Sequence, residues 1–136
     1  MPFMVWNDRV SVGVKAIDAD HKTMVDMINE LYDAILAGRG RKKVGSLLDR
    51  LVEYTKYHFA REEELLARTG YLDAADHKRQ HDEMAEWMNT AWRRYRSSTA
   101  TAPSLQVMSY LKDWLFDHVL GSDQKFAPHI KAHHIR

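Results

Sequence analysis

Apolar positions recur with a helical period along almost the whole chain. His21, Met24, Ile28, Leu31 and Ile35 follow one another at steps of three and four, the spacing that lines side chains along one face of an α-helix. Asp18 is a good N-cap type and Gly38 a good stop, so a first helix is expected over about 18–37. A second stripe through Leu47/Leu48, Leu51, Thr55, His58, Glu62 and Leu65 predicts a helix over about 42–69, closed by Thr69 and Gly70. A third, with His77, His81, Met84, Met88 and Ala91 or Trp92, spans about 73–96. Asp73 is its expected cap, and Arg93, Arg94 and Arg96 lie where the helix dipole favours cations. After the polar stretch SSTATAPS, Pro103 suits a first helical turn. Val107/Met108, Leu111, Trp114/Leu115 and His118 carry the last stripe over about 103–121, as far as Gly121. No segment reads as a strand.

The connections are short, which favours antiparallel neighbours burying their stripes on a common axis. The expected fold class is therefore all-α, an up-down-up-down antiparallel four-helix bundle forming one domain over residues 1–136. Residues 1–17, with Phe3, Val5, Trp6, Val10, Val12 and Val14, lack the helical period and are expected to lie along the bundle as an extended arm. Residues 122–136 form a C-terminal segment in which His129, His133 and His134 read as a frayed polar tail.

Composition narrows the chemistry. With 136 residues there is room for one core, and no apolar run approaches the roughly 20 residues that a membrane helix needs. A formal charge of +1 supplies no field for nucleic acid or an anionic membrane, and the basic loop at Arg39, Arg41, Lys42 and Lys43 reads as a solvated turn. The N-terminal MPFMVWNDRV lacks the pattern of a secretory leader, so a cytoplasmic location is expected. The absence of cysteine removes disulfides, thiolate catalysis, Fe–S clusters and cysteine-based zinc sites. Any metal must be held by nitrogen and oxygen.

Five of the eight histidines, His21, His58, His77, His81 and His118, fall on the apolar stripes, and all four helices contribute. One such histidine is usually a hydrogen-bonded core residue. Five would leave many buried polar nitrogens, each costing about 1–3 kcal/mol if orphaned, and a shared metal removes that cost. His77 and His81 are four apart and project from adjacent turns, as do His58 and Glu62. Of the three consecutive glutamates only Glu62 is in phase. His118 and Asp123 are five apart, about 140° round an ideal helix, so they converge only if the helix widens or ends between them. Gly121 would permit that. Alternatively, Asp123 is a solvated residue beyond the helix end. Five imidazoles and two carboxylates are too many for one tetrahedral ion and suit two ions sharing bridges. Nitrogen-rich ligation suits iron, with manganese, cobalt and zinc left open. Two octahedral irons offer twelve positions. The seven residues and a bridging solvent fill eleven, leaving one for a small molecule.

The order His, His-x3-Glu, His-x3-His, His-x4-Asp on successive helices resembles the hemerythrin family. VWNDRVSVGVKAIDADHK, YHFAREEELL, HKRQH and DWLFDHVLGSDQKF are similar to motifs of its single-domain bacterial members, and the likeness covers nearly the whole chain. The Glu-x-x-His motifs of ferritin-like di-iron bundles are absent. The resemblance implies a di-iron centre with carboxylate and oxo/hydroxo bridges: His77, His81 and His118 on one iron, His21 and His58 on the other, Glu62 and Asp123 bridging. It implies reversible O2 binding at the two-histidine iron, with O2 held as hydroperoxide. Such a protein would be a monomeric carrier, store or intracellular supplier rather than an enzyme, with an oxygen-consuming protein as a possible partner. An oxygen or redox sensor and a di-iron oxidase or peroxidase are the alternatives.

Phe59, Met24, Trp114 and Leu115 lie within about a turn of ligands and are candidates for the wall of an O2 pocket. Read singly they are ordinary core; the resemblance favours Phe59 and Trp114. No acid or base beyond the ligands is in phase with the site. Asp20 stands where relatives lead one to expect glutamine, and Phe126 where tyrosine is common.

Overall fold

The computed structural model describes residues 3–100 and 102–133. Four long helices account for most of them: α1 (Lys15–Leu36), α2 (Arg41–Arg68), α3 (Ala74–Ser97) and α4 (Leu105–His118). A five-residue π turn, Val119–Asp123, joins α4 to a further helix, α5 (Gln124–Ala132). A single 3-10 turn, Asp8–Val10, interrupts the arm, and no strand occurs among the described residues. The bundle is all-α. α2 packs against both α1 and α3, and α4 returns to α1. Apolar side chains from these helices, including Ile28, Leu31, Leu51, Met84, Met108 and Leu111, are buried together between them. Burying each such side chain stabilises the fold by roughly 1.5–3 kcal/mol.

The helix starts differ from the capping residues read in the sequence. α1 begins at Lys15, with Val14 in the N-cap position and no side-chain cap. Asp18 lies in its first turn and accepts instead from the Val12 backbone N–H at 2.8 Å and from Ser11 Oγ at 2.6 Å. Burial of Val12, Val14 and Ile17 extends the helix backward, and Asp18 ties the arm down. Asp73 occupies the N-cap of α3 but makes no side-chain capping bond. Pro103 precedes α4 rather than opening it: Ser104 is the cap, accepting from the Val107 N–H at 3.2 Å.

The C-terminal segment is ordered helix, not a frayed tail. Phe126 and Ile130 are buried, and His129 Nε2 lies 3.0 Å from Thr69 Oγ1 at the end of α2. His133 ends α5, and His134 lies outside the described residues. The arm runs along α1, where the Met4 backbone exchanges two hydrogen bonds with the Asn29 amide, at 2.7 and 2.9 Å. Arg41 is not a solvated loop residue. It donates to the carbonyls of Tyr95, Arg96 and Ala100, closing the C-terminal end of α3.

Antiparallel order sets the starts of α1 and α3 level with the ends of α2 and α4. His21, His58, His77, His81 and His118 therefore share one layer near one end of the bundle.

Candidate metal centre

Seven side chains converge in that layer, all at most 6% exposed: His21 from α1, His58 and Glu62 from α2, His77 and His81 from α3, His118 from α4 and Asp123 from the π turn. They fall into two groups. Donor atoms of Glu62, His77, His81, His118 and Asp123 lie within 4.8 Å of one another, as do those of His21, His58, Glu62 and Asp123. The two carboxylates belong to both. Glu62 turns Oε1 toward His77 Nε2 (2.9 Å) and His81 Nε2 (3.3 Å), and Oε2 toward His58 Nε2 (2.6 Å) and His21 Nε2 (3.2 Å). Asp123 places Oδ1 by His118 Nε2 (2.9 Å) and His77 Nε2 (3.1 Å), and Oδ2 by His21 Nε2 (3.0 Å).

Asp123 reaches the layer because the helix widens. The Gln124 N–H bonds to Val119 O, a step of five residues, which brings positions five apart onto one side. Of the two alternatives left by the sequence, Asp123 is fully buried and not a solvated residue.

The donor set suits cations better than a closed hydrogen-bond network. His81 Nδ1 lies 3.0 Å from Glu63 Oε2, and His118 Nδ1 lies 3.1 Å from Gln80 Oε1. Both partners are acceptors, so in the neutral rings each Nδ1 carries the proton and each Nε2 is bare. Those two Nε2 atoms nevertheless face each other at 3.0 Å. Neither oxygen of Asp123 has a partner in hydrogen-bonding geometry among the described residues, despite the short separations from histidine nitrogens. Lone pairs thus meet lone pairs, an arrangement that needs positive charge between them.

The metal-free cluster can supply that charge as protons. Burial works to lower the His21 pKa, but the Asp123 and Glu62 carboxylates outweigh it and raise it to about 10. His58 is likewise raised against burial, by Glu62 and Asp20, to about 9, and His77, by Asp123 and Glu62, to about 9. Burial pushes the Glu62 and Asp123 carboxyls up, and the surrounding imidazoles hold both below the ordinary carboxylate range. Divalent ions would displace those protons and satisfy the same oxygens.

Two carboxylates beyond the seven touch the rings, although neither is in phase with the stripe of its own helix. Asp20, 4% exposed, sets Oδ2 at 3.0 Å from His58 Nδ1, while Oδ1 accepts from Tyr54 at 3.0 Å. Glu63 holds His81, and Gln80, itself bonded by Ser122, holds His118. Asp20, Glu63 and Gln80 each sit one residue from a candidate ligand on their own helix and reach a histidine on the neighbouring one. Asp20 was visible in the sequence only as a departure from relatives, and an acid flanking an in-phase ligand is the signal that would have found Glu63.

Phe59 stacks on His81, with ring centroids 3.9 Å apart and planes at 6°, and Trp114 stacks on His118 at 4.5 Å and 9°. Met24, Trp114 and Leu115, with Thr55, line a small apolar cavity one turn from the histidine layer. It offers the centre of a water-sized sphere about 10 Å³. Phe59 is not among its walls; it covers the three-histidine side instead. Phe126 packs its ring against His77, with centroids 5.3 Å apart.

The hemerythrin HHE cation binding domain matches residues 12–130. A bacteriohemerythrin of Stenotrophomonas maltophilia is 36% identical over 133 residues, covering 98% of this chain and 85% of that protein. One from Methylococcus capsulatus is 30% identical, covering 97% of this chain and 100% of that protein. Among solved structures, wild-type hemerythrin superposes with a TM-score of 0.88 at 29% identity, over 94% of this chain and 98% of that one. No helix among the described residues is long and apolar enough to cross a membrane. With the family's domain spanning most of its length and full-length relatives at this identity, the chain belongs to the hemerythrin family.

Proposed function

We propose that this chain binds O2 reversibly at two iron ions, as a carrier or store. His77, His81 and His118 would hold one ion, His21 and His58 the other, with Glu62 and Asp123 available to both. The observation that carries this reading is the sharing of two buried carboxylates between a three-histidine group and a two-histidine group. The unequal count gives the two-histidine position one protein donor fewer. Iron supplies the chemistry, two metal-centred electrons that O2 can take up and return. Family membership supports iron as the metal and O2 as the guest, since curated relatives are named bacteriohemerythrins.

The protein's own residues hold, orient and dry the site. Glu62 and Asp123 fix the spacing of the two positions by offering one oxygen to each. Asp20, Glu63 and Gln80 engage the Nδ1 atoms of His58, His81 and His118, so that each ring turns Nε2 inward. Phe59 and Trp114 each cover one ring face, of His81 and His118 respectively. The cavity beside Met24, Thr55, Trp114 and Leu115 is apolar and narrow, suited to a small uncharged guest.

The test is spectroscopic. Anaerobic, ferrous-loaded protein should develop a visible band when O2 is added and lose it under vacuum, through repeated cycles and with iron retained. Irreversible oxidation on first exposure would overturn the proposal. Sustained O2 consumption with an added reductant, well above the rate of slow oxidation, would replace it with an enzymatic one.

A further inference from the structure

The five histidines of the centre are not backed alike. The His21 Nδ1 is buried with no hydrogen-bond partner among the described residues. His118 is backed by the neutral carbonyl of Gln80, and His81 by the carboxylate of Glu63, whose side chain is 24% exposed. Among these three partnered rings, and among the described residues, His58 is the one backed by a carboxylate in a dry setting, Asp20, whose side chain is 6% exposed.

Asp20 is held on both oxygens. Oδ2 accepts a hydrogen bond from His58 Nδ1–H and Oδ1 accepts one from the Tyr54 hydroxyl, with Arg61 Nη1 3.5 Å from Oδ1. Both oxygens thus face a donor in a buried setting, the arrangement of an acceptor-only carboxylate. Arg61 offsets the carboxylate charge weakly, because its side chain is 40% exposed and screened by solvent.

We propose that Asp20 is the positioning residue of the two-histidine side. It fixes His58 in the tautomer with Nε2 bare, and it places a dry negative charge behind that ring, favouring a more highly charged ion at the two-histidine position. A carboxylate on the far nitrogen makes an imidazole a stronger ligand and orients its ring. The same charge stabilises the ferric over the ferrous state, because its attraction scales with the ion's charge and is little screened in a dry site. Tyr54 serves Asp20 in turn by occupying its second oxygen. This assignment rests on the reading of the seven residues as metal ligands, and its tests need no O2.

The full chain is compared as wild type, Asp20→Asn, Asp20→Glu and Tyr54→Phe. In the zinc-loaded protein, nitrogen-edited NMR of His58 should show a strongly deshielded Nδ1 proton in the wild type, shifted upfield in Asp20→Asn. Cobalt(II) titration of iron-free protein should show affinity lowered about 10- to 100-fold in Asp20→Asn. It should be partly restored in Asp20→Glu, with a smaller loss in Tyr54→Phe, which keeps the charge. In the iron-loaded protein, Asp20→Asn should reduce at a higher midpoint potential than the wild type. An unshifted His58 proton, or unchanged cobalt affinity and potential in a folded Asp20→Asn protein, overturns the assignment. Should Asp20→Asn not fold, Asp20→Glu and Tyr54→Phe decide: wild-type values on all three measures in Tyr54→Phe, with no recovery tied to the carboxylate, count against it. A wild-type protein that takes cobalt at this site but never binds O2 would defeat the functional proposal and leave this one standing.

Discussion

Loading the centre should expel about three protons. In the metal-free chain His21 has its pKa raised to about 10, His58 to about 9 and His77 to about 9. All three are therefore charged at neutral pH, whereas a coordinating imidazole must be neutral. Each proton displaced below its pKa weakens apparent affinity by about 1.4 kcal/mol per pH unit of acidification, so three make roughly 4 kcal/mol per unit. Zinc or cobalt binding measured calorimetrically in buffers of different ionisation enthalpy gives the proton count directly. The pH dependence of affinity between about 6.5 and 8.5 gives it independently. Release of fewer than one proton, or affinity flat across that window, would refute the account of the metal-free cluster. Stability must follow the same sign. Histidines whose folded pKa lies above the unfolded value of about 6.5 contribute fully below that pH and lose their contribution as pH rises through 9 to 10. The Glu62 and Asp123 carboxyls, depressed on folding, lose theirs as pH falls below about 4. Metal-free protein should thus melt at a lower temperature at pH 10 than at pH 7, and the loaded protein should lack this decline.

Three further substitutions probe the rest. His77→Ala or His81→Ala should abolish stoichiometric metal and lower the stability of the loaded protein by several kcal/mol; metal analysis and a melt show it, and unchanged values refute the ligand assignment. Phe59→Ala removes a ring stacked on His81 and should cost about 3–5 kcal/mol in urea unfolding and quicken oxidation of the ferrous centre, with iron retained. Asp18→Ala breaks two hydrogen bonds to the arm, and amide exchange at Val12 should accelerate while the metal content stays at wild-type level.

The candidate site was largely legible because side chains gathered in one buried cluster must face inward, and facing inward is what helical periodicity reveals. His58 with Glu62, and His77 with His81, declare themselves at a spacing of four. Asp123 did not, since ideal-helix arithmetic turns it away from His118; only the wider π turn resolves the conflict, and nothing in VLGSD compels one. Glu63 was passed over and Asp20 noted only as a departure from relatives, since both lie off-stripe, about 100° from the core direction, yet that angle points across to the adjacent helix. Helix starts were the least legible part. Asp18 has capping chemistry, but Ser11 and Val12 compete for its oxygens and win. At the other end, Pro128 and three histidines suggested fraying, while the burial of Phe126 and Ile130 keeps α5 folded.

Glu62 and Asp123 each divide their two oxygens between the two sides of the cluster, and so neither side is a finished binding site alone. A first ion would leave the opposite oxygens and imidazoles crowded around an empty point, a penalty the second ion relieves. Filling should therefore be cooperative: native mass spectrometry at less than one equivalent of metal should find mainly empty and doubly loaded chains. On that reading the helices would take up the ions as a pair, passing from none to two.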